Sequence, residues 1–168
     1  HSDLRRQRQM CIRDSFEAGT RVPFITYWKG KIKPGVSNEI ISQVDLFNSI
    51  SVLVGSKYQS IDGNDFSQLL INNKGKGRDE LIIEASTRTA FRKGDWVMIP
   101  PYKGPEVSKN VNIELGNSLN FMLYNLKEDP SQKNNLSVIN EDKLKEMISS
   151  FIEIRGKNFS NIEDLILE

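Results

Sequence analysis

Four charged residues of this chain have types and spacings that could serve chemistry. Glu17 and Arg21 stand four apart in Phe16-Glu17-Ala18-Gly19-Thr20-Arg21-Val22-Pro23, an acid and a base in a turn of small residues. Arg88 and Arg92 flank Thr89-Ala90-Phe91 and could face a substrate pocket or make a salt-bridged strand face. Other chemistry is limited. The single His and the single Cys both fall within the first fifteen residues. Residues 16–168 therefore cannot build a Ser-His-Asp or Cys-His arrangement, a His metal site or a thiolate site. Asp62-Gly63-Asn64-Asp65 has calcium-loop residue types, but the Glu that should close such a loop at about the twelfth position is absent, so it reads as a turn. Gly75 and Gly77 lack the preceding strand and following helix of a phosphate loop. No catalytic and no metal-ligating residue is assigned.

The elements that must position these residues follow from apolar spacing. Val22-Pro23-Phe24-Ile25-Thr26-Tyr27-Trp28 is apolar almost throughout, the pattern of a strand covered on both faces, usually in a parallel sheet. Lys29-Gly30-Lys31-Ile32-Lys33-Pro34-Gly35 stops it. Its normal partners are expected to lie outside this sequence, in the preceding part of a larger enzyme. Glu39–Val44 reads as a second short extended segment. Asp45 is placed as an N-cap, with Leu46, Ile50, Leu53 and Val54 as the buried helical face and Gly55 as the stop. Phe66, Leu69 and Leu70 suggest a turn or two of helix. Asn72 to Asp79 is polar, basic and glycine-containing, a solvated linker at a subdomain boundary.

Beyond it the pattern becomes β. Leu81–Ala85 and Thr89–Arg92 read as strands, and Lys93-Gly94-Asp95 turns the second into Trp96–Ile99 as a hairpin. Pro100-Pro101 ends it, and a loop of roughly fifteen residues follows, long enough for a lid or a substrate-facing loop. Asn120–Asn125 is the next strand. Asn140 caps a last helix with Leu144, Met147, Ile148, Phe151 and Ile152 as its buried stripe. The fold class expected is an α/β fragment, the end of a larger core, followed by a small α+β subdomain with an antiparallel sheet and a C-terminal helix.

Residues 1–15 (HSDLRRQRQMCIRDS) show no apolar period, and resemble a translated adapter or read-through string. They are set aside as a non-native tail; a basic arm that binds nucleic acid is the other reading. Of 23 Lys+Arg and 22 Asp+Glu, the tail holds four and two, leaving 19 and 20, a net of −1. Nothing in that balance suggests a nucleic-acid or membrane partner, and no apolar run reaches the about 18 residues of a membrane span. The domains expected are the tail at 1–15, the end of a catalytic α/β domain at 16–75 and the α+β subdomain at 76–168.

The order of these motifs resembles the C-terminal portion of the type I sulfatases, of the alkaline-phosphatase-like superfamily. Glu17 to Pro23 is similar to E-G-G-x-R-V-P, with Ala18 at the first glycine. Trp28 to Gly35 is similar to W-P-G-x-I-x-P-G, with Lys29 at the proline. Ser42-Gln43-Val44-Asp45-Leu46-Phe47 resembles S-x-V-D-L-x, and Phe91 to Trp96 the A-x-R-x-G-D-W hairpin. Leu123 to Pro130 with Asn134-Asn135-Leu136 resembles L-Y-D-L-x-x-D-P…N-L.

The resemblance implies a sulfuric ester hydrolase as the parent protein, using a formylglycine made in a C/S-x-P-x-R motif and a divalent ion, usually calcium, held by Asp and Asn oxygens. Both would lie upstream, so this chain alone is expected to bind no metal and to be inactive. The family lysine that contacts sulfate would fall at Ile12, inside the tail. Arg88 and Arg92 become low-specificity candidates for substrate binding, and Glu17 and Arg21 a structural pair at the active-site floor. The partner implied is a sulfated small molecule or glycan, and the parent is expected to be periplasmic or secreted. A phosphodiesterase or phosphonate-ester hydrolase of the same superfamily, or a non-catalytic interaction domain, stays open as an alternative.

Overall fold

The computed structural model describes residues 16–85, 88–104, 107–108, 113–114 and 117–156. The proposed tail lies outside them. The described residues form two compact units, one made of Pro23–Leu81 and the other of residues 16–22 with those of 82–156. The Glu17 turn thus packs with the sheet.

The sheet unit has strands β1 (Glu80–Ala85), β2 (Arg88–Lys93), β3 (Trp96–Ile99) and β6 (Met122–Asn125), in the order β1-β2-β3-β6. The expected hairpin is present: Lys93 pairs with Trp96, Arg92 with Val97 and Phe91 with Met98, antiparallel. Gly94 takes φ +58°, the left-handed conformation that two-residue hairpin turns ask of a glycine. β3 pairs antiparallel with β6, Val97 facing Tyr124 and Met98 facing Leu123.

Strand alternation sorts these residues onto two faces. Phe91, Met98 and Leu123 form one row, and helix α4 (Glu141–Arg155) lays Met147 and Phe151 on it with Leu144 and Ile148 beside them. Phe91 and Phe151 meet edge to face, ring centres 5.9 Å apart at 77°. Burying each such side chain stabilises by about 1.5–3 kcal/mol, so this face is the main core. The opposite face carries Ala90, Val97, Ile99, Met122 and Tyr124, with Phe16 packed against them. The loop after Pro100-Pro101 is not structureless, since β4 (Val107–Ser108) and β5 (Ile113–Glu114) pair within it.

The unit of Pro23–Leu81 departs from expectation. The Val22–Trp28 segment is not a strand, and Ile25 and Tyr27 are 86% and 84% exposed. Among the described residues no strand stands beside it, and a strand without a neighbour has no ladder to join. Thr26 Oγ1 donates to the Leu70 carbonyl at 3.2 Å. Glu39–Val44 is not a strand either: its Ile40 carbonyl accepts the Arg78 N–H at 2.7 Å.

The predicted helix exists as α2 (Asp45–Leu53), and Asp45 is its first residue, with Val44 at the cap position. It ends as the sequence suggests. Gly55 N–H donates to Val52 O at 3.1 Å and Ser56 N–H to Ser51 O at 2.8 Å, the paired bonds of a Schellman stop, with Gly55 at φ +72°. The buried face is not the one expected, of which only Leu46 and Leu53 are half-buried. Asp45, Asn48, Ser49 and Ser51 are buried, whereas Ile50 and Val54 are 52% and 72% exposed. Polar side chains face inward because they bond the loops packed beside them, including that before the short helix α3 (Ser67–Asn72).

Candidate functional site

Two clusters of buried charge stand out, one in each unit. In the sheet unit, helix α1 (Glu17–Thr20) starts where Phe16 packs near Tyr124, ring centres 6.1 Å apart. Glu17 is buried there. Arg92 of β2 donates from Nη1 to Glu17 Oε1 at 2.6 Å and from Nε to the Gly94 carbonyl at 3.1 Å. Arg21 lies 3.6 Å from the same carboxylate but is largely exposed. The Glu17 N–H donates to Gln132 Oε1 at 2.6 Å. Gln132 is a buried residue held at φ +51° in the turn after Pro130.

The expected Glu17–Arg21 pair is therefore the outer half of a three-charge cluster whose inner half is Arg92. That arginine joins the hairpin to α1, and two of its donors are committed to protein acceptors. Arg88 opens β2, but its side chain lies outside the described residues.

In the helical unit, Asp45 is 1% exposed and receives Arg78 Nε at 2.9 Å as well as its Nη2. The backbone N–H groups of Ser42 and Asn64 also donate to it, each at 2.8 Å. Arg78 Nη2 reaches on to the Asp62 carbonyl at 2.9 Å. Burial works against the Asp45 charge, but the Arg78 hydrogen bonds with those two N–H groups outweigh it and hold the carboxyl below the usual carboxylate range. Arg78 is held above its ordinary value by Asp45.

Beside this pair, Asn48 donates to the Ser60 carbonyl at 2.9 Å and to the Gly63 carbonyl, and accepts the Ser60 N–H at 2.6 Å. Ser49 accepts the Phe66 N–H at 2.9 Å. The Asp62–Asp65 stretch is held against α2 by these groups. Arg78, read as part of a solvated linker, and Gln132 were missed by sequence reasoning. An acid on a helix otherwise rich in apolar residues signals that a basic partner exists, but not where it lies.

The motif residues share one kind of work. Asp129 Oδ2 accepts the N–H groups of Lys133 and Asn134, each at 2.7 Å, and Asn135 Oδ1 accepts that of Leu123 at 3.0 Å. Asp45, Glu17, Asp129 and Asn135 all satisfy backbone or guanidinium donors. Among the described residues no group of three or more His, Cys, Asp or Glu could hold a metal ion.

Comparison with known proteins gives these motifs their context. Over 137 residues the chain is 33% identical to the N-acetylgalactosamine-6-O-sulfatase of Bacteroides thetaiotaomicron, covering 79% of this chain and 27% of that one. It superposes with TM-score 0.78 and 28% identity on a solved protein of Bacteroides thetaiotaomicron glycosaminoglycan metabolism, covering 86% of this chain and 31% of the other. The chain belongs to the sulfatases. Bovine arylsulfatase A is 28% identical over 137 residues, covering 73% of this sulfatase chain and 27% of its own length. The ulvan-active sulfatase of Formosa agariphila is 30% identical over 165 residues, covering 79% and 33%. No family model matches. The chain spans about a quarter to a third of the curated relatives it matches, and corresponds to the C-terminal portion of a sulfatase.

Proposed function

We propose that this chain is the C-terminal part of an enzyme that hydrolyses sulfate esters of a sulfated sugar, and that its role there is structural support. The observation that carries the reading is the 33% identity to a sulfatase over 79% of the chain, together with its 27% share of that relative's length. In this reading the formylglycine nucleophile and a calcium ion belong to the preceding part of the parent; bound there, the ion would stabilise charge on the sulfate oxygens. The residues described here do not fit that ion: the buried carboxylates of Glu17 and Asp45 are both taken by arginines, and no step is assigned to them. Arg92 and Glu17 fix the turn that opens the segment, and Asp45 and Arg78 fix the loops around α2. A secreted or periplasmic parent acting on sulfated glycans fits this reading.

Aryl sulfate hydrolysis tests it. The 168-residue chain should give no turnover above a buffer blank with calcium present. The same chain extended by its upstream coding sequence should hydrolyse the aryl sulfate and carry a C/S-x-P-x-R motif. Turnover by the short chain alone would overturn the assignment of catalysis to the upstream part. An extended enzyme that cleaves phosphodiesters but not sulfates would replace it with the phosphoryl-transfer reading.

A further inference from the structure

Helix α2 is two-faced in the reverse of the usual sense. A helix at the surface of a globular unit turns its apolar stripe inward and its charges to water. In α2 the residues turned inward are Asp45, Asn48, Ser49 and Ser51, all buried. Phe47, Ile50 and Val54 follow at i, i+3 and i+7 on the other side, 55%, 52% and 72% exposed. Asp45 is the one charged residue of Asp45–Leu53, so the outer side of the helix carries no charge. The rest of the unit has the same character. Among the described residues of Pro23–Leu81, Leu69 is the buried apolar side chain, whereas the sheet unit buries Phe91, Met98, Leu123, Met147 and Phe151 together. An exposed apolar residue is ordinary by itself, but an exposed apolar stripe behind a buried polar one is not.

We propose that the Phe47–Ile50–Val54 face of α2 is a permanent interface, packed on an apolar surface of the preceding part of the parent enzyme. The proposal rests on the sulfatase reading and adds to it the surface through which the two parts hold together. The stripe cannot be satisfied within its own unit. Turning it inward would strand Asp45 from Arg78 and two N–H groups, Asn48 from Ser60 and Gly63, and Ser49 from Phe66. Buried polar groups left without partners cost more than the exposed stripe does. A large body of chain is at hand to cover it, since the match takes in 27% of the N-acetylgalactosamine-6-O-sulfatase and leaves most of a protein of that length outside. Composition selects a permanent partner. Obligate interfaces resemble a core cut in half, whereas transient ones keep a polar rim. A helix lying on a membrane sets lysines and arginines opposite its apolar face, and α2 has none.

Hydroxyl-radical footprinting of unsubstituted protein tests this, with the 168-residue chain at a dilution where it is monomeric set beside the chain extended by its upstream coding sequence. Phe47 should be labelled readily in the short chain, and in the extended enzyme its labelling should fall to the level of Phe91, which is fully buried in the sheet unit. Ile50→Lys should leave the melting midpoint of the short chain unchanged and lower that of the extended enzyme by several degrees or abolish its folding. Ile50→Leu, which keeps the face apolar, should leave both unchanged. A Phe47 that stays reactive in the extended enzyme would overturn the proposal, including the case in which it is protected only by raising the short chain's concentration or by adding phosphatidylserine vesicles. Protection of Phe47 in the monomeric short chain would overturn it too, by giving the cover to this chain itself, as would an unchanged midpoint for Ile50→Lys in the extended enzyme. Aryl sulfate turnover judges the sulfatase reading separately. An extended enzyme that cleaves the ester with Phe47 still reactive would sink this proposal alone, and one that protects Phe47 without cleaving any sulfate would sink the sulfatase reading and leave the interface standing.

Discussion

Asp45→Asn removes a charge while keeping the shape of the side chain, and it should loosen the Pro23–Leu81 unit selectively. The carboxylate holds Arg78 through Nε and Nη2 and two backbone N–H groups, with 1% of the residue exposed. Breaking one partner of a buried ion pair costs about 3–5 kcal/mol. The Arg78 side chain is 18% exposed and can recover some hydration, which places the cost near the lower end, about 3 kcal/mol. That is a little over a hundredfold in the opening equilibrium, at roughly 1.4 kcal/mol per factor of ten. Hydrogen exchange read by peptide measures it. Peptides spanning residues 42–66 should lose protection by about two orders of magnitude, while those from β2 and β3 stay unchanged. An Asp45→Asn/Arg78→Met double variant should be less destabilised than the sum of the singles, because no lone charge remains in it. A shift below about 1 kcal/mol in Asp45→Asn would refute the claim that this pair organises the unit.

The same group sets a pH dependence. Its carboxyl is lowered in the folded chain, so its contribution is full above the ordinary value of about 3.9 and is lost as pH falls through the lowered native value. Protection in residues 42–66 should fall in that acid range, and Asp45→Asn should lack this part of the fall. Phe151→Ala empties a fully buried site against Phe91 and should cost the sheet unit about 3–5 kcal/mol in denaturant unfolding followed by near-UV circular dichroism. Glu17→Gln leaves Arg92 facing a neutral amide, and should lower the melting midpoint of the sheet unit by the equivalent of about 1–3 kcal/mol. Gly94→Ala at φ +58° should cost about 1–2 kcal/mol by the same measurement, without changing the hairpin register.

The sequence alone determined the β2–β3 hairpin, because Gly94 at a left-handed turn position and period-two alternation in Thr89–Ile99 are local signals. It determined α4 as well, since Met147 and Phe151 lie one turn apart on the face that meets the sheet. The stop of α2 at Gly55 is equally local. Ordered motifs carried the sulfatase resemblance, and Glu17, Asp45, Asp129 and Asn135 among them accept backbone or guanidinium donors. Tertiary structure decided the rest. The pattern of α2 reads as an apolar face turned inward, yet its polar side is buried, because Asp45, Asn48 and Ser49 find donors and acceptors up to 33 residues away in sequence. The Val22–Trp28 segment has strand composition, but strandhood depends on a neighbour that no residue within it can supply. Arg92 is a free cation in the sequence and becomes a strut only when the chain brings Glu17, 75 residues away, within 2.6 Å. Periodicity records what a residue would bury, whereas the pairing of charges depends on which distant segments meet.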